Sequence, residues 1–130
     1  MGKREFSEAF RTFVNKNITS VEQIEVLLLL VANPSRAWTI AEISAILRSS
    51  PNSIASRLDA LRQARLAKGN PQTGFQYEAS GRSHEMVELL AEEYGARRFS
   101  VIELVFSRPD AARSFADAFR FREENDERTR

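Results

Sequence analysis

The side chains able to do chemistry in this 130-residue chain form two groups. The first is His84 with Glu85 and Glu88, an imidazole beside carboxylates at helical spacing. It contains the only histidine of the chain, and the chain has no cysteine. No second His and no Cys is therefore present to complete a metal site, and there is no thiol nucleophile or disulfide framework. A solvated helix start is the better account of these three residues. The sequence shows no Gly-rich phosphate loop, nucleophile elbow or catalytic carboxylate pair, and Glu92-Glu93 and Glu123-Glu124 read as solvated helix faces. The expectation is a protein that is not an enzyme and takes no metal or cofactor. The second group is Asn52, Ser53, Ser56 and Arg57, with Arg62 and Gln63 further on. These lie off the apolar stripe Ile54, Leu58, Leu61, whose spacings of four and three predict a helix over 51–65. A surface helix made only for solubility more often carries Glu and Lys. Short hydrogen-bonding groups and arginines suit recognition rather than catalysis.

The elements that position this helix are legible nearby. Phe6, Phe10, Phe13 and Val14 predict an N-terminal helix over 5–16. Ser20 to Gln23 fits a capping box, in which the Ser20 hydroxyl accepts from the Gln23 N–H and Gln23 reaches back. The helix that follows is apolar at Ile24, Leu27, Leu28 and Val31. Leu29 and Leu30 make it apolar nearly all round, so it is expected to be the most buried helix, stopped at Asn33-Pro34. Trp38 falls in a short link. Thr39 to Glu42 is a second capping box, opening a helix over 39–48 with Ile40, Ile43 and Leu47 inward. Ser50 caps the next helix and Pro51 fits its first position. Leu66 to Lys68 reads as a short strand and 69–74 as a turn. Phe75, Tyr77 and Ala79 read as the return strand of a hairpin.

Helix, helix, turn, helix and hairpin in this order resemble the winged helix-turn-helix regulators of bacteria, in the broad manner of MarR- and ArsR-type repressors. The resemblance covers about residues 20–80. It is carried by TIAEISAILRSSPNSIASRLDALRQARLAK and the hairpin GNPQTGFQYEA. It implies a mainly α fold, a winged helix-turn-helix core with a two-stranded wing, flanked by N-terminal and C-terminal helices. It also implies a transcriptional regulator that reads double-stranded DNA. The helix at 51–65 would enter the major groove, where Asn pairs with adenine, Arg with guanine and Ser with base edges or phosphate. Asn52, Ser53, Ser56, Arg57 and Arg62 are the residues assigned there. Thr39 and Ser50 would touch phosphate while capping helices. Lys68, Asn70, Gln72 and Thr73 would place a wing at 66–79 along a neighbouring groove or backbone.

Charge is distributed in keeping with that reading. The whole chain is near neutral at +1, yet residues 36–82 hold seven basic side chains against three acidic, and residues 83–130 hold eight against eleven. The middle can face a polyanion while the C-terminal part does not. The rival reading is an adaptor whose winged helix binds a protein partner, with recognition carried by the acidic C-terminal helices.

Three segments are expected: an N-terminal helix at 1–18, the winged domain at 19–81 and a helical extension at 82–130 for dimerisation or partner binding. In the extension, Val87, Leu90, Tyr94, Val101 and Leu104 recur at mostly helical spacing. Gly95 is the expected break if there are two helices, and a strand at SVIELVF is the minority alternative. Ala112, Phe115, Ala116 and Phe119 stack on one face of a last helix, and residues 124–130 read as frayed. Regulators of this kind generally bind two half-sites as symmetric dimers. Phe6, Phe10, Phe13, Val101, Val105, Phe115 and Phe119 are the expected homodimer interface. The longest apolar run, Val26 to Ala32, is far below the roughly 20 residues of a membrane span. The N-terminus has no apolar signal core, so a cytoplasmic protein is expected.

Overall fold

The structure is a computed structural model of the chain, and it describes residues 6–107. Six helices and one hairpin follow in order: α1 (Glu8–Asn17), α2 (Val21–Ala32), α3 (Ile40–Leu47), α4 (Pro51–Gln63), β1 (Ala67–Asn70), β2 (Gly74–Tyr77), α5 (Gly81–Ala96) and α6 (Arg98–Phe106). This is a mainly α, winged helix-turn-helix architecture with a two-stranded antiparallel wing and flanking helices. The last expected helix, with its Phe115 and Phe119, and the frayed tail lie outside the described residues.

Local chemistry sets each helix start. The Ser7, Ser20 and Ser50 hydroxyls accept from the backbone N–H three residues on, at 3.1, 3.0 and 3.1 Å. Thr39 and Glu42 close a full capping box, with the Glu42 N–H donating to Thr39 at 3.1 Å and the Thr39 N–H to Glu42 at 2.9 Å. Each bond satisfies an N–H that the first helical turn leaves without a partner. Gln23 departs from the expected box. It is fully buried, and its Oε1 accepts from the Thr19 N–H and hydroxyl, both at 2.8 Å, instead of from the Ser20 N–H. Its Nε2 donates to the Asn17 carbonyl at 2.7 Å. One amide thus ties the end of α1 to the start of α2, and its polar atoms are satisfied where no water reaches.

α2 is the central helix. Ile24, Val26, Leu27 and Leu30 are buried, and α2 packs against α3, α4 and β2. α4 contributes Ile54, Leu58 and Leu61 to the same core and packs on α2, α3 and β1. On the other side α1, α5 and α6 pack on one another through Phe10, Phe13, Val14, Val87, Leu90, Val101, Leu104 and Val105. The two groups share one continuous core.

The hairpin pairs Ala67 with Tyr77, Lys68 with Gln76, Gly69 with Phe75 and Asn70 with Gly74, so the turn shortens to 71–73. Leu66 lies before the strand, as a buried side chain. Trp38 is more than a link: its N–H donates to the Phe75 carbonyl and the Phe75 N–H to the Trp38 carbonyl, both at 2.7 Å. β2 therefore has a backbone partner on each side. The break in the C-terminal region falls at Arg97 (φ −136°, ψ 60°), two residues after Gly95. An added Cβ at Gly95 meets nothing within 4 Å, so that glycine marks no close approach. SVIELVF is helical, within α6.

Candidate nucleic-acid interface

The expected recognition residues lie at the start of α3, on the turn into α4, on α4 and on the hairpin after it. Arg48 ends α3 in the left-handed region at φ 56°, and Ser50 and Pro51 start α4. Arg65 follows α4, again left-handed at φ 62°. Neither position holds glycine, the residue that adopts this conformation without steric cost. Asn52 and Ser56 are exposed on α4, and Lys68 is exposed on β1. Arg48, Arg65 and Lys68 are exposed and form no ion pair among the described residues, so three cations stand at the two ends of α4 and on the adjoining strand. Arg62 is half-exposed and lies 3.8 Å from Asp59, a loose surface pair of small energetic weight. Arg36 is neutralised by Glu42 at 3.1 Å and stacks over the Trp38 ring at 3.7 Å.

The wing tip is preset. Asn70 Oδ1 accepts from the backbone N–H of Gln72 and of Thr73, both at 2.8 Å, and from the Thr73 hydroxyl at 3.2 Å. Asn70 and Thr73 thus hold the turn in shape, while the Gln72 side chain and Lys68 remain exposed. Tyr77 links the wing to α5. Its hydroxyl lies 2.7 Å from His84 Nδ1, and burial, with Glu88 nearby, pushes the phenol up to about 12. The other ring nitrogen of His84, Nε2, lies 3.4 Å from Glu88.

Glu22, at the start of α2, is the residue that the sequence reading missed. Its carboxylate accepts from the hydroxyls of Ser49 and Ser53 and, at 2.9 Å, from Arg57 Nε. Ser49 in turn accepts, through its carbonyl, from the Ser44 hydroxyl. Two of the five recognition candidates on α4, Ser53 and Arg57, are therefore held from beneath by α2. Arg57 pairs with Glu22, while Asp59 lies beside Arg62. No local spacing signals this, since Glu22 is 27 to 35 residues from its partners. Hydrogen bonds from Ser49 and Ser53, and then Arg57, hold the Glu22 carboxyl below its usual value of 4.5, against the opposing effect of burial. A carboxylate with a depressed folded pKa adds stability above its unfolded pKa and loses it as pH falls through the folded one. The unfolding midpoint is thus expected to drop below pH 4.5, and a Glu22→Gln variant followed by circular dichroism across pH is expected to lose that part of the acid sensitivity.

The expected interface residues are distributed unevenly. Phe10, Phe13, Val101 and Val105 are buried inside the chain, because α1 packs against α5 and α6. Phe6 is half-buried, 5.1 Å from the Phe10 ring and covered by the Arg97 guanidinium at 4.3 Å. The apolar side chains that do face outward on α6 are Phe99, 81% exposed, and Phe106, 67% exposed. Half-buried Ile102 lies between them at helical spacing, which makes one stripe. Glu25 joins the two halves of the core, accepting from the Tyr94 hydroxyl at 3.2 Å and from Arg98 at 3.3 Å.

No family model matches the chain, and no curated protein sequence matches it. Solved structures do. MepR, a transcription regulator of the Staphylococcus aureus multidrug efflux pump MepA, is 13% identical with a TM-score of 0.49, over 90% of this chain and 87% of that one. A MarR family protein from Bacillus stearothermophilus is 12% identical with a TM-score of 0.47, over 95% of this chain and 84% of that one. The winged-helix architecture stated above rests on the chain's own elements and their packing. Among the described residues no helix is long and apolar enough to cross a membrane, and no three His, Asp or Glu side chains gather where they would hold a metal ion.

Proposed function

We propose that this chain is a transcriptional regulator that binds double-stranded DNA as a homodimer, with α4 in the major groove and the 66–79 wing along the backbone. The observation that carries this reading is the pairing of an exposed, hydrogen-bonding α4 face (Asn52 and Ser56) with three cations that form no ion pair among the described residues. Arg48 and Arg65 flank that helix directly and Lys68 lies on the strand that packs on it. Hydrogen-bonding groups supply base discrimination, and cations supply the phosphate attraction that dominates affinity. The test is salt-dependent binding of duplex DNA by the wild type and Lys68→Ala, set out at the end of the Discussion.

Few phosphates are within reach of one such domain, and pairing doubles the contacts. The α6 stripe of Phe99, Ile102 and Phe106, with the phenylalanines of the C-terminal segment, is the proposed contact between subunits. A dimer is expected in sedimentation equilibrium at tens of micromolar. Phe99→Ser is expected to weaken it about tenfold or more, the loss from one buried phenyl ring, without lowering thermal stability of the protomer. A wild-type monomer at that concentration contradicts the dimer.

A further inference from the structure

Arg57 is usable in two ways at a DNA surface, and its surroundings separate them. An arginine that anchors phosphate works through net charge and is best left unpaired. An arginine that reads a guanine works through direction, presenting two parallel N–H groups in a fixed plane. Arg57 has given up its net charge. It is paired through Nε with Glu22 at 2.9 Å, and the two side chains are only 31% and 23% exposed. The rest of its fork is uncommitted: neither terminal nitrogen has a partner among the described residues. Glu22 is itself fixed by Ser49 and Ser53, so the carboxylate is held at three points before any ligand arrives. The three donors come from the residue before the Ser50 cap of α4 and from the first two turns of that helix.

We infer that Glu22 is the positioning residue for base recognition: it orients Arg57 so that the outer edge of the guanidinium meets a guanine, and it sets sequence preference at the expense of general DNA affinity. This rests on the DNA-binding reading above. The physical logic has two parts. Fixing a long side chain in advance removes an ordering cost from binding. A carboxylate held close to a polyanion repels it, so Glu22 lowers affinity for every sequence, and its retained charge makes sense only if direction matters more than attraction at this position. The hydrogen bonds that hold the Glu22 carboxyl below its usual range keep that charge in place at neutral pH.

The experiment begins with enrichment of a preferred duplex from a library with a randomised central segment, using the full-length wild type. Affinities for the enriched duplex and for random-sequence duplex are then measured for the wild type, Glu22→Gln, Arg57→Ala, Arg57→Lys and the Glu22→Gln/Arg57→Ala double variant. The readout is the ratio of the two affinities. Glu22→Gln is expected to lower that ratio about tenfold, the order of one bidentate base contact, while affinity for random duplex stays level or rises. A purely structural role would lower both affinities together. Arg57→Ala is expected to lower the ratio comparably, and the double variant no further, because Glu22 acts through Arg57. Arg57→Lys keeps the charge but loses the fork, and it is expected to lose the ratio as Arg57→Ala does. That variant also keeps the test decisive if Glu22→Gln weakens the fold. A wild-type ratio in Glu22→Gln or in Arg57→Lys, or a further tenfold loss in the double variant, overturns the inference and leaves the DNA-binding reading standing. A wild type that enriches no sequence and shows no salt-dependent binding overturns both.

Discussion

Gly69→Ala is expected to open the hairpin. Gly69 has φ +117°, a conformation closed to alanine, and a Cβ built there lies 2.0 Å from the carbonyl oxygen of Gly74. That neighbour is backbone on the opposing strand, so no side chain is available to swing away. The chain must separate β1 from β2 at the Asn70 and Gly74 end of the ladder. The disturbance then reaches further, because Phe75, directly opposite Gly69, also exchanges two hydrogen bonds with Trp38 and is buried in the core. Backbone strain and lost pairing together are expected to cost about 2–4 kcal/mol, read as a lowered urea midpoint. The functional consequence follows from position. Lys68 and Gln72 lose their fixed placement while α4, packed on α2 and α3, keeps its own. DNA affinity should fall with α4 still formed.

Leu58→Ala is expected to have an effect of the same size through a different cause. Leu58 is fully buried, on the face of α4 that meets α2 and α3. Truncation removes its transfer free energy and leaves a cavity that α2, buried at Ile24, Leu27 and Leu30, has little freedom to fill. A loss of about 3 kcal/mol is expected, inside the 2–5 kcal/mol that such truncations give, measured by chemical denaturation. Leu58 follows Arg57 about 100° round the helix and is fully buried, whereas Arg57 stays part-exposed and pairs with Glu22. The variant should therefore weaken DNA binding only as far as it unfolds the protein, unlike Arg57→Ala, which should alter recognition in a folded one.

What the sequence made legible was local. Ser20, Thr39 and Ser50 started helices where their side chains answer unpaired N–H groups three residues on, a relation contained in four letters, and Pro51 took the first position of α4. The apolar stripes of α1, α2 and α4 followed from period alone. What stayed hidden depended on contacts between distant segments. Gln23 had a choice of neighbouring donors, and burial between α1 and α2 gave it Thr19 and Asn17. Trp38 carried no strand pattern, since one residue pairing with Phe75 has no period. The break at Arg97 lay two residues from the glycine that appeared to mark it. There the Arg97 guanidinium covers Phe6 and bonds Glu93 at 2.9 Å while α6 turns onto α1. Four of the residues offered to a second subunit were apolar for an internal reason, and aromatic composition alone does not distinguish a core from an interface. Glu22 is the most consequential omission. An acidic residue in the first turn of a helix is ordinary there, and only the fold shows that it faces α4.

The central claim is that α4 and the wing face duplex DNA. Fluorescence anisotropy against labelled random-sequence duplex, titrated with salt, tests it most directly, with Lys68→Ala run in parallel. Binding is expected at low salt with a dissociation constant of about 10⁻⁶–10⁻⁴ M, and affinity is expected to fall linearly with salt on a log–log scale. Lys68→Ala should reduce the slope by about 0.9, the mark of one lost phosphate contact. No binding at about 50 mM salt and 10⁻⁴ M protein, or a Lys68→Ala slope equal to that of the wild type, contradicts it. Absent binding would turn the same exposed surfaces toward a protein partner.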